Sequence, residues 1–190
     1  MTVPLLVMSG SSRTGSFNKK LAAVAAQAAR LQGAEVTEVD LRDLALPVYD
    51  GDIEAQGLPA GALRLRQLFA THDAVLIATP EYNAFVTPLL LNALDWLSRV
   101  PAADGLPAGL ASMNGTVAGL LSASPGALGG TRGLIFLRSF LAMTLAMLVV
   151  PQTQSISQAH QAFDESGALK DAKQQAGVER VVAAVLLAAA

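Results

Sequence analysis

The sequence predicts an α/β fold, with helices on both faces of a five-stranded parallel sheet in three layers. Three observations predict it. Apolar, strand-like runs alternate with helix-spaced runs five times along the chain. The run at 74–79, Ala-Val-Leu-Ile-Ala-Thr, is almost wholly apolar, as a central strand covered on both faces must be. The loops after the first, third and fourth strands are rich in small and polar residues. Ligands in open α/β sheets bind beyond the strand C-termini, where the strand order reverses. For the order 2-1-3-4-5 those three strands are neighbours, so one ligand can touch all three loops.

Each element has its own justification. Residues 3–8 are an apolar first strand. Leu21, Val24, Ala25, Ala28 and Leu31 recur at helical spacing, giving a helix that begins near Asn18. Gly33 turns the chain into a second strand at 34–41. Ala62, Leu65, Leu68 and Phe69 mark a second helix ahead of the third strand. Pro88 fits the first turn of a helix continuing through Leu90, Leu91, Leu94 and Leu97. A fourth strand at 115–122, a helix at 131–143, a short strand at 145–150 and a last helix at 171–188 complete the series. Right-handed crossovers then make the sheet parallel.

No linker divides the 190 residues, so residues 1–190 read as one domain. The apolar share is 52%, the charged share 15% and the mean hydropathy +0.44, so large surfaces are buried, some of them between subunits. A net charge of −2 offers nothing to a nucleic acid. Zero cysteines exclude a disulfide framework, a thiolate catalyst and a Cys-based metal site. His72 and His160 stand apart, beside no ligand-like cluster, so no metal site is expected. The segment 134–150 is the most membrane-like, but Arg138 lies inside it and it is short for a span. A buried helix followed by a strand explains it, and the expected location is cytoplasmic.

The loop Gly10-Ser11-Ser12-Arg13-Thr14-Gly15-Ser16-Phe17-Asn18 carries the most chemistry. It lies where a buried strand meets a helix N-terminus, and free backbone N–H groups and the helix dipole favour anions there. Its hydroxyls, amide and guanidinium add further donors. A nucleotide triphosphate P-loop needs Lys-[Ser/Thr] where Ser16-Phe17 stands. A Rossmann fingerprint needs a third glycine where this loop has side chains. Asp40, ending the second strand, occupies the place of a ribose-binding acid, which keeps NAD binding as an alternative. The donors better suit a terminal phosphomonoester of charge roughly −2, and FMN ends in one. An ordinary polar turn with Ser16 or Asn18 as helix N-cap is the plainer reading, but Arg13 among so many donors favours anion binding.

The loop Thr79-Pro80-Glu81-Tyr82-Asn83-Ala84-Phe85 offers an aromatic face and backbone groups to a flat heteroaromatic ring. It also reads as a polar loop in which Tyr82 packs on a neighbour. Gly126, Gly129 and Gly130, in the loop that starts at Ser122, let backbone approach a ligand or simply form a flexible turn.

These segments, with Asn92-Ala93-Leu94-Asp95-Trp96-Leu97-Ser98-Arg99 and Phe163-Asp164-Glu165-Ser166-Gly167-Ala168-Leu169, occur in an order and spacing that closely resembles the NADPH-dependent FMN reductase family. That family includes quinone, chromate and azo-dye reductases, and the resemblance covers nearly the whole chain. It implies a flavodoxin-like fold and an enzyme that takes hydride from NADPH or NADH onto FMN and passes electrons to a small acceptor. No side chain has to be catalytic. Ser11, Arg13, Ser16, Phe17 (through its backbone) and Asn18 would hold the FMN phosphate. Pro80, Glu81, Tyr82 and Asn83 would border the isoalloxazine, with Ser124 and Gly126 on its other side. A homodimer or homotetramer is implied, with the helix of Asn92 and Trp96 near a subunit contact; simple core packing explains Trp96 and Leu97 equally well. The chain departs from the family at Leu89 and Leu91, where Gly and Lys are usual. A flavodoxin-like carrier that holds FMN without oxidising NADPH is the rival function, though such carriers tend to be strongly acidic.

Overall fold

The computed structural model describes residues 2–190. Its strands are β1 (Pro4–Ser9), β2 (Glu35–Asp40), β3 (Ala74–Ala78), β4 (Val117–Ala123) and β5 (Leu148–Ile156). The helices are α1 (Phe17–Leu31), α2 (Gly51–Gln56), α3 (Ala60–Ala70), α4 (Pro88–Arg99), α5 (Gly109–Met113), α6 (Thr131–Thr144), α7 (Ala159–Ala162) and α8 (Ala172–Ala189). The five strands form one parallel sheet in the order β2-β1-β3-β4-β5.

Alternation along the central strands divides the core between two faces. Leu5 and Val7 of β1 point, with Leu76 of β3 and Leu121 of β4, into a cluster closed by α1 and α8. Leu6 and Met8 point the other way, with Val75, Ile77 and Leu120, against α3, α4 and α6. All five residues of β3 and all seven of β4 are buried, which accounts for the unbroken apolar run of β3 and for a β4 whose polar residue is the buried Ser122. β2 is a half-exposed edge and carries Glu35, Glu38 and Asp40. Register aligns the strand ends that matter: Ser9 lies opposite Ala78, and Ala78 opposite Leu121. The loops after β1, β3 and β4 therefore leave the sheet side by side.

The last strand departs from expectation. It begins at Leu148 rather than 145, and it runs through Pro151 to Ile156 rather than stopping at 150. Proline lacks a ladder donor, which normally confines it to an edge or a bulge. Here β5 is an edge strand, and its pairing moves from Ala118–Val149 to Leu120–Thr153, carrying Pro151 across a register shift. Among the described residues, no helix is long and apolar enough to cross a membrane.

Candidate cofactor site

The loop after β1 begins with a glycine that nothing else could replace. A Cβ on Gly10 would lie 2.3 Å from Thr79 Oγ1 and 2.9 Å from Thr79 Cβ. The backbone there is fixed from two sides: Gly10 N–H donates to Ala78 O (3.0 Å), and Thr87 Oγ1 donates to Gly10 O (2.8 Å). Six residues later Ser16 caps α1, its Oγ accepting from Asn18 N–H (3.2 Å) and Lys19 N–H (3.4 Å). Ser16 N–H is used as well, donating to Arg13 O.

Between these fixed ends the Arg13 guanidinium donates to Thr14 O at 3.4 Å, and the backbone donors have no partners. The backbone N–H groups of Ser11, Ser12, Arg13, Thr14, Gly15 and Phe17 reach no acceptor among the described residues. Ser11 is only 5% exposed, and its hydroxyl likewise has no protein partner. Residues 12–15 are exposed, so these N–H groups are open to solvent, and a row of free donors at a helix N-terminus is a ready site for a polyanion. Arg13 stands at the rim, its guanidinium carbon 5.4 Å from the centre of the Phe17 ring. Phe17 in turn stacks parallel on Phe163 at 6.3 Å, which ties the α1 terminus to the segment after α7.

Asn18 sits in the same loop but serves it differently. Its Nδ2 donates to Ala123 O (2.8 Å) and its Oδ1 accepts Ala123 N–H (2.9 Å). The side chain is buried and satisfied at both ends, so it ties the α1 N-terminus to the end of β4 and offers nothing to the loop interior.

The loop after β3 forms a tight two-residue turn. Tyr82 and Phe85 exchange backbone hydrogen bonds of 3.0 and 2.9 Å across Asn83 and Ala84, both at positive φ. The turn presents Tyr82 at 52% exposure, a ring free to stack. Glu81 does not present its side chain beside that ring. It is turned inward against α6, where Oε1 accepts from Arg132 Nε (3.0 Å) and Nη2 and Oε2 accepts Gly133 N–H (3.1 Å). Burial alone would raise its carboxyl, but the hydrogen bonds from Arg132 and Gly133 and the Arg132 charge outweigh burial and hold it below the usual range. Arg132 thus belongs to the site's framework, although nothing local in the sequence marks it.

In the loop after β4, Ser124 Oγ accepts Gly126 N–H (3.2 Å), and Ser124 is tied to the end of β5 through Ile156 O and Ala159 N–H. Ser122 Oγ donates to Gly129 O (2.7 Å) and fixes the far side of the turn.

Asp40 is not available to a ribose. Its Oδ2 pairs with Lys19 Nζ at 2.5 Å, and its Oδ1 accepts Arg42 N–H at 3.0 Å. Burial would raise this carboxyl too, but Lys19 and Arg42 bring it down. His72 is likewise engaged at both ring nitrogens, with Leu68 O and Thr37 Oγ1.

The chain is similar to known proteins along nearly its whole length. The family model for NADPH-dependent FMN reductases matches residues 3–161. An NAD(P)H-dependent FMN reductase of Pseudomonas aeruginosa is 34% identical over 187 residues, which cover 97% of this chain and 94% of that protein. A quinone reductase of Pseudomonas putida is 34% identical over 166 residues, 87% of this chain and 83% of the relative. Among solved structures, FerB, a flavoenzyme NAD(P)H:(acceptor) oxidoreductase of Paracoccus denitrificans, superposes with a TM-score of 0.77 at 28% identity, covering 97% of each chain.

Proposed function

We propose that this chain, which belongs to the NADPH-dependent FMN reductase family, holds FMN with its phosphate in the loop after β1 and its ring between the loops after β3 and β4. It is an FMN-dependent NAD(P)H oxidoreductase that passes electrons to a small acceptor. Bound FMN supplies the hydride-accepting and electron-passing chemistry. The protein binds, orients and limits access.

The row of unpartnered donors from Ser11 to Phe17 carries this reading. A phosphomonoester brings several acceptor oxygens and a charge of roughly −2, which matches backbone N–H groups, the Ser11 hydroxyl and Arg13 together. Ser16 keeps its hydroxyl hydrogen to donate while its oxygen caps α1. Phe17 contributes its backbone N–H, and Asn18 acts by holding the helix start against β4. Pro80, Tyr82 and Asn83 border the ring through backbone and the exposed Tyr82 face, and Ser124 and Gly126 close the opposite side. Glu81 works from behind that wall.

The enzyme is a homo-oligomer on this reading. An apolar groove of about 490 Å³ runs between α4 and the segment before α2, lined by Leu46, Val48, Tyr49, Leu89 and Leu91. Leu89 and Leu91 add apolar surface that a second copy would cover. Light scattering that finds only monomer at micromolar concentration removes this part. We place the enzyme in the cytoplasm, where its reduced nicotinamide donor is made.

The test is to load the protein with FMN, remove free ligand, and add NADPH and then a quinone without any partner protein. Bleaching of the flavin band by NADPH, followed by recovery with quinone, is the expected result. A retained flavin that NADPH does not bleach makes the protein an electron carrier instead.

A further inference from the structure

We infer that Glu81 and Arg132 form a clamp that sets the spacing between the two loops flanking the flavin ring, which makes Glu81 a positioning residue. The inference rests on the FMN reading above and concerns only the ring half of the site. Glu81 belongs to the loop after β3. All its side-chain partners belong to the first turn of α6, across the loop after β4. Both carboxylate oxygens are occupied, one by the Arg132 guanidinium and one by Gly133 N–H. The Glu81 side chain is 8% exposed and that of Arg132 55%, so the anion is enclosed while its cation reaches in from the surface. A carboxylate at a helix N-terminus also meets the favourable end of the α6 dipole.

A second observation shows that this approach is built in. A Cβ on Gly133 would lie 3.3 Å from Phe85 O and 3.4 Å from Glu81 Cβ and Cγ, so the backbone of α6 and the loop after β3 pack closely at residue 133, with little room for a side chain. On the outer surface Phe85 and Phe136 continue the contact, with ring centres 5.0 Å apart. The loop after β1 has no part in the clamp. Its own ties run from Gly10 to Ala78 and Thr87 and from Asn18 to Ala123.

This division gives the clamp a signature. Opening it loosens the grip on the ring, which FMN and riboflavin share, and leaves the grip on the phosphate, which only FMN has. Dissociation constants for both flavins by fluorescence quenching, with the visible spectrum of each complex, read the difference. In Glu81→Gln both flavins weaken by the same factor, about tenfold, the scale of one charge-assisted hydrogen bond. The FMN-to-riboflavin ratio stays at its wild-type value, and the flavin band shifts. Arg132→Met removes only the half-exposed cation, so it tests the clamp if Glu81→Gln folds poorly; it weakens both flavins about threefold, and Arg132→Lys recovers part of the loss. Unchanged constants and spectra in Arg132→Met, or a loss confined to FMN, overturn the clamp while the FMN assignment stands. A wild-type protein that binds neither flavin overturns both.

Discussion

Two crevices open at the same end of this sheet, on either side of β1, and they differ in the polar groups they offer. On the β2 side a cleft of about 320 Å³ contains Lys19, Glu38 and Asp40. Two ion pairs close within the chain there, Lys19 to Asp40 and Glu38 to Arg30 at 2.9 Å, while among the described residues Asp43 has no ion-pair partner and the buried Ser9 hydroxyl no hydrogen-bond partner. On the β3 side, the backbone donors of the loop after β1 face no protein acceptor. Both crevices are polar and both adjoin the N-terminus of α1. What separates them is topology. The strand order reverses between β1 and β3, so the loops there diverge and leave room for a ligand; β2 is simply the edge. A row of backbone donors at a helix N-terminus beside the switch point, more than polarity or the size of a cleft, marks where this fold expects an anion.

The comparison breaks most readily at Gly10. Gly10→Val drives a side chain into Thr79, so it should cost about 3 kcal/mol of stability, the upper range for overpacking, and abolish FMN retention. Thermal melting and a desalting column check the two effects separately. Arg13→Ala leaves the fold intact and removes a cation from the rim of the donor-rich crevice. FMN affinity should fall by roughly 1.5–3 kcal/mol, the range for a hydrogen bond to a charged group, and titration of flavin fluorescence measures it. Asn18→Ala sharpens the division of labour within the loop. It strands the Ala123 N–H and carbonyl, so the apoprotein should lose about 1–2 kcal/mol in urea unfolding, while Arg13→Ala should lose almost none.

The smallest effect belongs to the β2 side. Asp40 has a folded pKa below its unfolded one, so its contribution is complete above the unfolded value and disappears as pH falls through the folded value. Asp40→Asn should therefore cost less than about 1 kcal/mol near neutrality and nothing in acid, with FMN affinity unchanged. A large loss of FMN affinity in Asp40→Asn would mean that the two crevices are not distinct.

Much of this was legible in the sequence because it is written locally. β3 announces itself as an unbroken apolar run, and burial on both faces is why. The loop after β1 shows its donors, its glycine and its capping Ser16 within nine consecutive residues. The end of β5 was not legible, because Pro151 ordinarily stops a strand and only the register shift against β4 lets it continue. α2, α5 and α7 have six, five and four residues, too few to show a period. The side-chain partners of Asn18 and Glu81 were not legible for a common reason. Both stand in motifs that point toward the ligand, but their partners are 105 and 51 residues away in the chain, and no local pattern specifies which way a side chain turns.

The central claim is that the loop after β1 is a phosphomonoester site, and FMN and riboflavin differ by that group alone. Their dissociation constants on the wild-type protein, measured side by side by fluorescence quenching at fixed salt, test it most directly. Several charge-assisted hydrogen bonds predict FMN tighter by at least about a hundredfold. Equal affinities would contradict the claim and make the loop after β1 an ordinary solvated helix cap.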